Sequence, residues 1–343
     1  MKYIKIVTLI IFLTFTQALF AQDGATTTLM TYNIKGYGIT SSRLESIAKV
    51  INYWNADIVA VQEVDNRNLI GLKYDNLADL ATQTGMKSTF LACVGTYYGI
   101  GLLTKEAPLS ITTHVFPFSD PTKDKEDRGI IIAEFKDFFF IGTHYSLNAD
   151  DRDVATAWIV KFAQSSDKTV FVAGDFNAQP TYRAMVTFKN SGFKILNNTN
   201  TFTYDSTNPT SCIDMVICYN DFPEAKKYDV VESGICATPG VDLKVASDHL
   251  PVYVEIKPQS TGINNVTVDS NIKIASTANG PIITGLEKPS RMKIFNIEGR
   301  ELVDSIVENG ENIDFSNLNS GPYILQVNND MQKYTLKYMF NNK

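Results

Sequence analysis

Apolar residues recur along this chain with two different periods, and the switches between them divide it into elements. Thr28–Asn33 (TLMTYN) reads as a strand ending at Asn33, and Asp57–Val64 (DIVAVQEV) as a buried strand with Glu63 near its C-terminal end. Between them Leu44, Ile47, Ala48, Ile51 and Trp54 repeat at helical spacing behind Ser42-x-x-Glu45, a capping box, so a helix is predicted over 42–54. A second helix is expected over 74–84, stopped by Gly85. Thr89–Val94 and Tyr98–Thr104 read as paired strands. Gly129–Phe135 and Phe138–Thr143 read as a hairpin turning at Lys136-Asp137, its second run ending at His144. Val154, Trp158 and Phe162 mark one face of a helix over 151–164. A short helix is expected after Pro180, and Cys212–Tyr219 and Pro251–Ile256 are the last strands of this part.

An apolar, β-branched and aromatic run from Val170, which reads as a buried strand, stops at Gly174 and opens into Asp175-Phe176-Asn177. Two residues two apart in extended chain point the same way, so Asp175 and Asn177 could face one site. Gly-Asp-x-Asn is equally ordinary turn chemistry, and this stretch alone fits both. Strands separated by helices and interleaved with hairpins predict two packed sheets with helices outside, an α/β sandwich. Composition shifts after Lys257: residues 258–285 are rich in Ser, Thr, Asn and Gly and read as a linker, and 286–343 as a small all-β module. The main domain then spans 26–257.

With 343 residues, 44% of them hydrophobic, the chain can bury a large core and a smaller one. Its net charge of −6 argues against a basic face that holds nucleic acid by charge alone. It leaves open a phosphate substrate met through a metal ion. Residues 1–21 place Lys2 and Lys5 before an apolar run that ends in small residues, the pattern of a secretory signal peptide. No later run is long enough to span a bilayer, so an exported chain is expected. Cys93, Cys212, Cys218 and Cys236 are too few for a disulfide scaffold; one bridge to Cys236 and buried free thiols both remain open.

Polar residues gather at predicted strand ends: Asn33, Glu63, His144, Asp175, Asn177 and Asp248-His249. Asp214 instead sits inside an apolar strand, where a carboxylate is costly without a partner. Glu63, Asp175, Asp248 and Asn33 are hard oxygen ligands suited to Mg2+, with Mn2+ or Ca2+ as alternatives. No phosphate-binding glycine loop and no G-x-S-x-G elbow is present. The chemistry left is metal-assisted hydrolysis with His as acid or base. Arg128 reads as a phosphate contact or a surface residue, and Tyr98 as a substrate-facing aromatic or a core one.

The set TYNIKG, VAVQEVD, YGIGLLT, GTHYSLN, FVAGDFNAQP, CIDMVI and SDHLPVYVEI, in order over 28–257, resembles the endonuclease/exonuclease/phosphatase superfamily. The resemblance implies a four-layer α/β sandwich and divalent-metal phosphoester hydrolysis. By position it implies Asn33, Glu63 and Asp248 at the metal, with Glu63 the direct ligand. Asp214 would pair with His249 to activate water or stabilise the transition state. Asp175 would orient or deprotonate the water, Asn177 would bind a phosphate oxygen, and His144 would contact the scissile phosphate or protonate the leaving oxygen.

At the C-terminus MKIFNIEGREL, IDFSNLNSGPYILQV and YTLKYMF resemble the sorting domain of the type IX secretion system, whose machinery would be a partner. The expectation is a secreted or surface-bound, monomeric phosphodiesterase, nuclease-like. A phosphomonoesterase or a lipid or inositol phosphate hydrolase is the alternative within the family, and a non-catalytic binding protein the alternative outside it. Selectivity would lie in loops such as Ser119–Asp127 and Asn197–Ser211.

Overall fold

The computed structural model describes residues 26–67, 71, 74–222, 225–259, 272–277, 280–328 and 333–340. The expected signal peptide lies outside them. The chain separates into two units, Met1–Gln259 and Ser260–Lys343. In chain order the first contains β1 (Thr27–Asn33), α1 (Ser41–Tyr53), β2 (Ile58–Asp65), α2 (Asn76–Thr84), β3 (Lys87–Val94) and β4 (Tyr98–Thr104). It continues with β5 (Ser110–Phe116), β6 (Arg128–Glu134), β7 (Phe138–His144), α3 (Ala149–Gln164), β8 (Thr169–Asp175) and α4 (Arg183–Asn190). The last elements are β9 (Lys194–Ile195), β10 (Asp214–Tyr219), β11 (Tyr228–Ile235), α5 (Leu243–Ala246) and β12 (Val252–Pro258).

The strands form two six-stranded sheets, in the orders β11-β12-β1-β2-β4-β3 and β5-β6-β7-β8-β10-β9. Three apolar clusters explain why so many strands are apolar throughout. Successive side chains on a strand point to opposite faces. On β2, Ile58 and Ala60 enter the core between the sheets, while Val59 and Val61 pack toward α1 and α2. On β8, Phe171 and Ala173 enter the central core, while Val170 and Val172 pack toward α3 and α4. Both faces of each sheet are covered, which gives the expected four layers, helix, sheet, sheet, helix. Each large side chain fully buried this way stabilises the fold by roughly 1.5–3 kcal/mol.

Several local expectations change. Helix α1 starts two residues earlier than Ser42-x-x-Glu45 implies: Thr40 is its N-cap, and its hydroxyl accepts from the Arg43 amide. Helix α2 is capped as its sequence suggests, by Asp75 at the start and Gly85 in the left-handed region at the end. Strands β5, β9 and β11 were not expected. β5 and β11 are sheet edges with largely exposed, polar-rich sequences, so they lack the apolar signal that marks the inner strands. All four cysteines are free thiols, so the bridge to Cys236 is not made.

The second unit holds β13 (Lys273–Thr277), β14 (Gly280–Thr284), β15 (Ser290–Phe295), β16 (Glu301–Val307), β17 (Gly321–Asn328) and β18 (Lys333–Phe340). The last four form a sheet in the order β16-β15-β17-β18, the all-β module expected from the sequence. Within the expected linker, 258–285, β13 and β14 pair, and Ile272 and Ile283 enter this unit's own core. Phe315 closes that core against the rings of Tyr323, Tyr338 and Phe340. No helix among the described residues is long and apolar enough to cross a membrane.

Candidate functional site

The site forms where β1 and β2, parallel in one sheet, end beside β7 and β8, parallel in the other. Ends of parallel strands leave the chain to turn away and expose a concave floor. His144 of β7 is the register partner of Asp175 on β8, and Asp175 is the register partner of Asp214 on β10. Neighbours in register present their side chains on the same face, so these three stand in a row. All are buried. Asp175 accepts from the Asn177 amide at 2.8 Å and from Asn33 Nδ2, reaching across from the other sheet, at 3.1 Å. Asn177 reaches the site because its backbone turns into the left-handed region at φ 43, not because the chain runs on extended.

His249 lies on the loop before β12. Its Nδ1 meets both oxygens of Asp214, at 3.0 and 3.2 Å, which resolves the buried carboxylate that the sequence left without a partner. The loop is pinned from below, where Ser247 Oγ donates to the Asn33 carbonyl at 2.7 Å. The ring of Tyr204 covers His249 at 4.7 Å. Burial works against a charged His249, but the carboxylates of Asp214 and Asp175 outweigh it and push its pKa up to about 10. Burial, with the neighbouring charge of Asp214, pushes Asp175 up to about 7.

His144 sits in the opposite surroundings. Its Nδ1 is 3.2 Å from Arg128 Nη1 and its Nε2 is 3.2 Å from Asn177 Nδ2. Burial, then the charges of Arg128 and His249, hold its pKa well below the usual 6.5. Arg128 is buried, not on the surface.

Glu63 owes its aim to a bulge. The pairing of β2 with β4 slips between Val61 and Val64, and Glu63 takes φ 57. Its carbonyl accepts from the Gly36 amide at 2.9 Å, and a Cβ on Gly36 would fall 2.3 Å from that oxygen, so glycine is required there. Glu63 Oε1 accepts from Asn33 Nδ2 at 3.0 Å, and the Tyr98 hydroxyl feels the Glu63 side chain nearby. Burial, then the charge of Glu63, pushes the Tyr98 hydroxyl up, so it stays a donor. Asn33 Oδ1 is taken by the Lys35 amide at 3.1 Å, so Asn33 turns its NH2 toward the carboxylates. It orders Glu63 and Asp175. Asp248 Oδ2 bonds Lys35 Nζ at 2.7 Å at the mouth of the site.

The structure thus joins Asn33, Glu63, Tyr98, His144, Asp175, Asn177, Asp214 and His249 into one network, with Asp248 at its rim and Arg128 behind His144. Sequence reading missed Lys35, Tyr204 and the carboxylates that hold Arg128, Asp124 and Glu126. Asp124 and Arg128 are four residues apart, but Asp124 lies in a loop, where that spacing does not by itself bring two side chains together. Among the described residues, Asp175, Asp214 and His249 are a group whose donor atoms lie within 4.8 Å of one another. Glu63, Asp175, Asp214 and Asp248 make the site rich in carboxylates, with Lys35 against Asp248 and His249 against Asp214, and carboxylate oxygens are the donors a hard divalent cation takes.

The family model for the Endonuclease/Exonuclease/phosphatase family matches residues 30–249, and that for the secretion system C-terminal sorting domain matches 262–341. An endonuclease/exonuclease/phosphatase from Bacteroides vulgatus is 18% identical, with TM-score 0.55 over 68% of this chain and 100% of that one. A functionally unknown conserved protein from Enterococcus faecalis V583 is 18% identical with TM-score 0.54, covering 68% of this chain and 100% of its own. A family protein from Bacteroides thetaiotaomicron is 17% identical with TM-score 0.54, over 69% and 99%. These likenesses establish the shared fold. No curated protein is similar enough to count as a relative. The chain belongs to the endonuclease/exonuclease/phosphatase family of phosphoesterases and carries a secretion-system C-terminal sorting domain.

Proposed function

We propose that this chain is a secreted, divalent-metal-dependent phosphodiesterase that cleaves its substrate by in-line attack of water. The supporting observation is the buried row His144, Asp175, Asp214 with His249 closing it, in which neighbouring groups are pushed to different protonation states. Sites whose titratable groups are driven apart in this way carry acid–base chemistry. Asp175, near 7, is matched to take a proton from water at neutral pH. His249, held charged by Asp214, is placed to stabilise negative charge growing on the phosphoryl group. Asn177 contributes a further donor. Glu63, oriented by Asn33, and Asp248, once Lys35 is displaced, would hold Mg2+. A bound Mg2+ would polarise the phosphoryl oxygen and offset its charge.

The sorting domain supports delivery to the cell surface or beyond, through the type IX machinery. The test is turnover of bis(p-nitrophenyl) phosphate against p-nitrophenyl phosphate by the full chain, with Mg2+ and with excess chelator. Expected is faster turnover of the diester, lost on chelation and restored by Mg2+. Faster turnover of the monoester would overturn the diester assignment, and chelator-insensitive turnover would overturn the metal.

A further inference from the structure

The contacts of His144 decide what it can do, and they run through a residue outside the reactive row. A guanidinium has five donors and no acceptor. Arg128 Nη1, 3.2 Å from His144 Nδ1, therefore meets a lone pair, and the ring hydrogen sits on Nε2. Arg128 is itself fixed. Asp124 takes its Nε at 3.2 Å and its Nη2 at 3.0 Å, and Glu126 takes Nη1 at 2.9 Å. Asp124, buried, is held in turn by Ser146 Oγ at 2.8 Å and the Leu147 amide at 3.0 Å. On the other side of the ring, Asn177 Nδ2 donates to the Tyr145 carbonyl at 2.8 Å, which fixes the amide with its NH2 toward His144. That NH2 and the ring Nε2–H stand 3.2 Å apart, both donors. The nearby Asp175 Oδ2 is 3.5 Å from Nε2, too far for a good bond.

We infer that Asp124 is a positioning residue which, through Arg128, locks His144 in its Nε2–H form, so that His144 and Asn177 make a paired donor for one anionic oxygen and His144 moves no proton. Resting on the phosphoester reading, that oxygen is a non-bridging phosphoryl oxygen, and the gain comes as its charge grows in the transition state. The proton for the leaving oxygen must then come from another group or from water.

Nitrogen-15 NMR of the imidazoles tests this without substrate or metal, since the chain has only three histidines, His114, His144 and His249. In the full chain at pH 7, His144 is expected neutral with hydrogen on Nε2. Hydrogen on Nδ1, or on both nitrogens, overturns the lock. Asp124→Asn, folded by circular dichroism, is expected to give a mixture of tautomers, and an unchanged spectrum overturns the role of Asp124. If that variant does not fold, Arg128→Gln reads the same signal. In turnover of the diester, His144→Gln keeps an amide donor near the Nε2 position and is expected within about tenfold of the parent, while His144→Ala loses about 10²-fold or more. Equal losses would mean that His144 transfers a proton. Absence of any phosphoester turnover would sink the functional reading and leave the tautomer result standing.

Discussion

The two halves of the site each hold a histidine, and the two are held in opposite states. His249 faces Asp214 and Asp175 and is driven up to about 10. His144, in the same buried row, faces Arg128 and is driven well below the usual value. Burial alone lowers both, so the difference is made by the residue behind each ring, a carboxylate for one and a guanidinium for the other. One side of the site thus supplies positive charge, the other supplies neutral donors, and Asp175 between them stays near neutrality. Knowing that a histidine is present says little about its role; the neighbour on its far nitrogen says most.

The largest expected effect is on the charged side. His249→Ala is expected to lower kcat/KM by about 10³-fold, in the range removal of a charge-stabilising or acid–base group produces. It also leaves Asp214 buried and unpaired, which costs stability, about 3–5 kcal/mol where a buried pair is broken. Steady-state kinetics should therefore be read on protein shown folded by circular dichroism. A loss below tenfold would break the contrast between the two histidines.

Much of this contrast was legible in the sequence, and what was not has a physical cause. The inner strands were readable because both of their faces are buried, as on β2 and β8. Edge strands β5 and β11, half open to water, carry no such signal. Asp214 was marked by its misfit, a carboxylate among Ile213, Met215 and Val216. Its bond to His249 spans 35 residues and depends on how the loop of Ser247 folds back. Glu63 was found by its place at a strand end, but not the bulge that turns it, since a bulge is a register slip against β4 and leaves no mark on β2 alone. Asp124 was the hardest to see. In the sequence it is one of several charges in a polar loop, and only the fold brings it against Arg128 and Ser146.

A second way to sharpen the comparison is at the open rim, where Lys35 takes Asp248. The pair is half exposed, 54% and 27%, so it is weak, and a divalent cation must compete with it for the carboxylate. Lys35→Met is expected to tighten Mn2+ binding by about two- to fivefold, since an exposed pair contributes roughly 0–1 kcal/mol. Isothermal titration calorimetry of the metal-free chain would read this directly. The gain should shrink at about 1 M salt, where exposed charges are screened within about 3 Å. Unchanged affinity would mean that Asp248 takes no part in holding the metal.

The smallest effect is the response of stability to acid. The folded-state pKa of His144 is depressed below its ordinary 6.5. Above that pH, neither the folded nor the unfolded chain protonates His144, and the shift has no effect on stability. Below it the unfolded chain takes up a proton that the folded site refuses. The unfolded state then binds more protons, and stability falls as pH falls. His249 runs the other way: its contribution is complete below 6.5 and is lost as pH rises through about 10. Thermal unfolding of the metal-free chain should therefore show the parent losing about 1 kcal/mol more than His144→Gln between pH 6.5 and 5.5. That corresponds to a difference of about 2–4 °C in Tm. Because Gln does not titrate, the difference in slope isolates His144 from every other acidic group. Equal slopes would mean that burial and the charge of Arg128 do not keep a proton off His144, and the two histidines would no longer differ in kind.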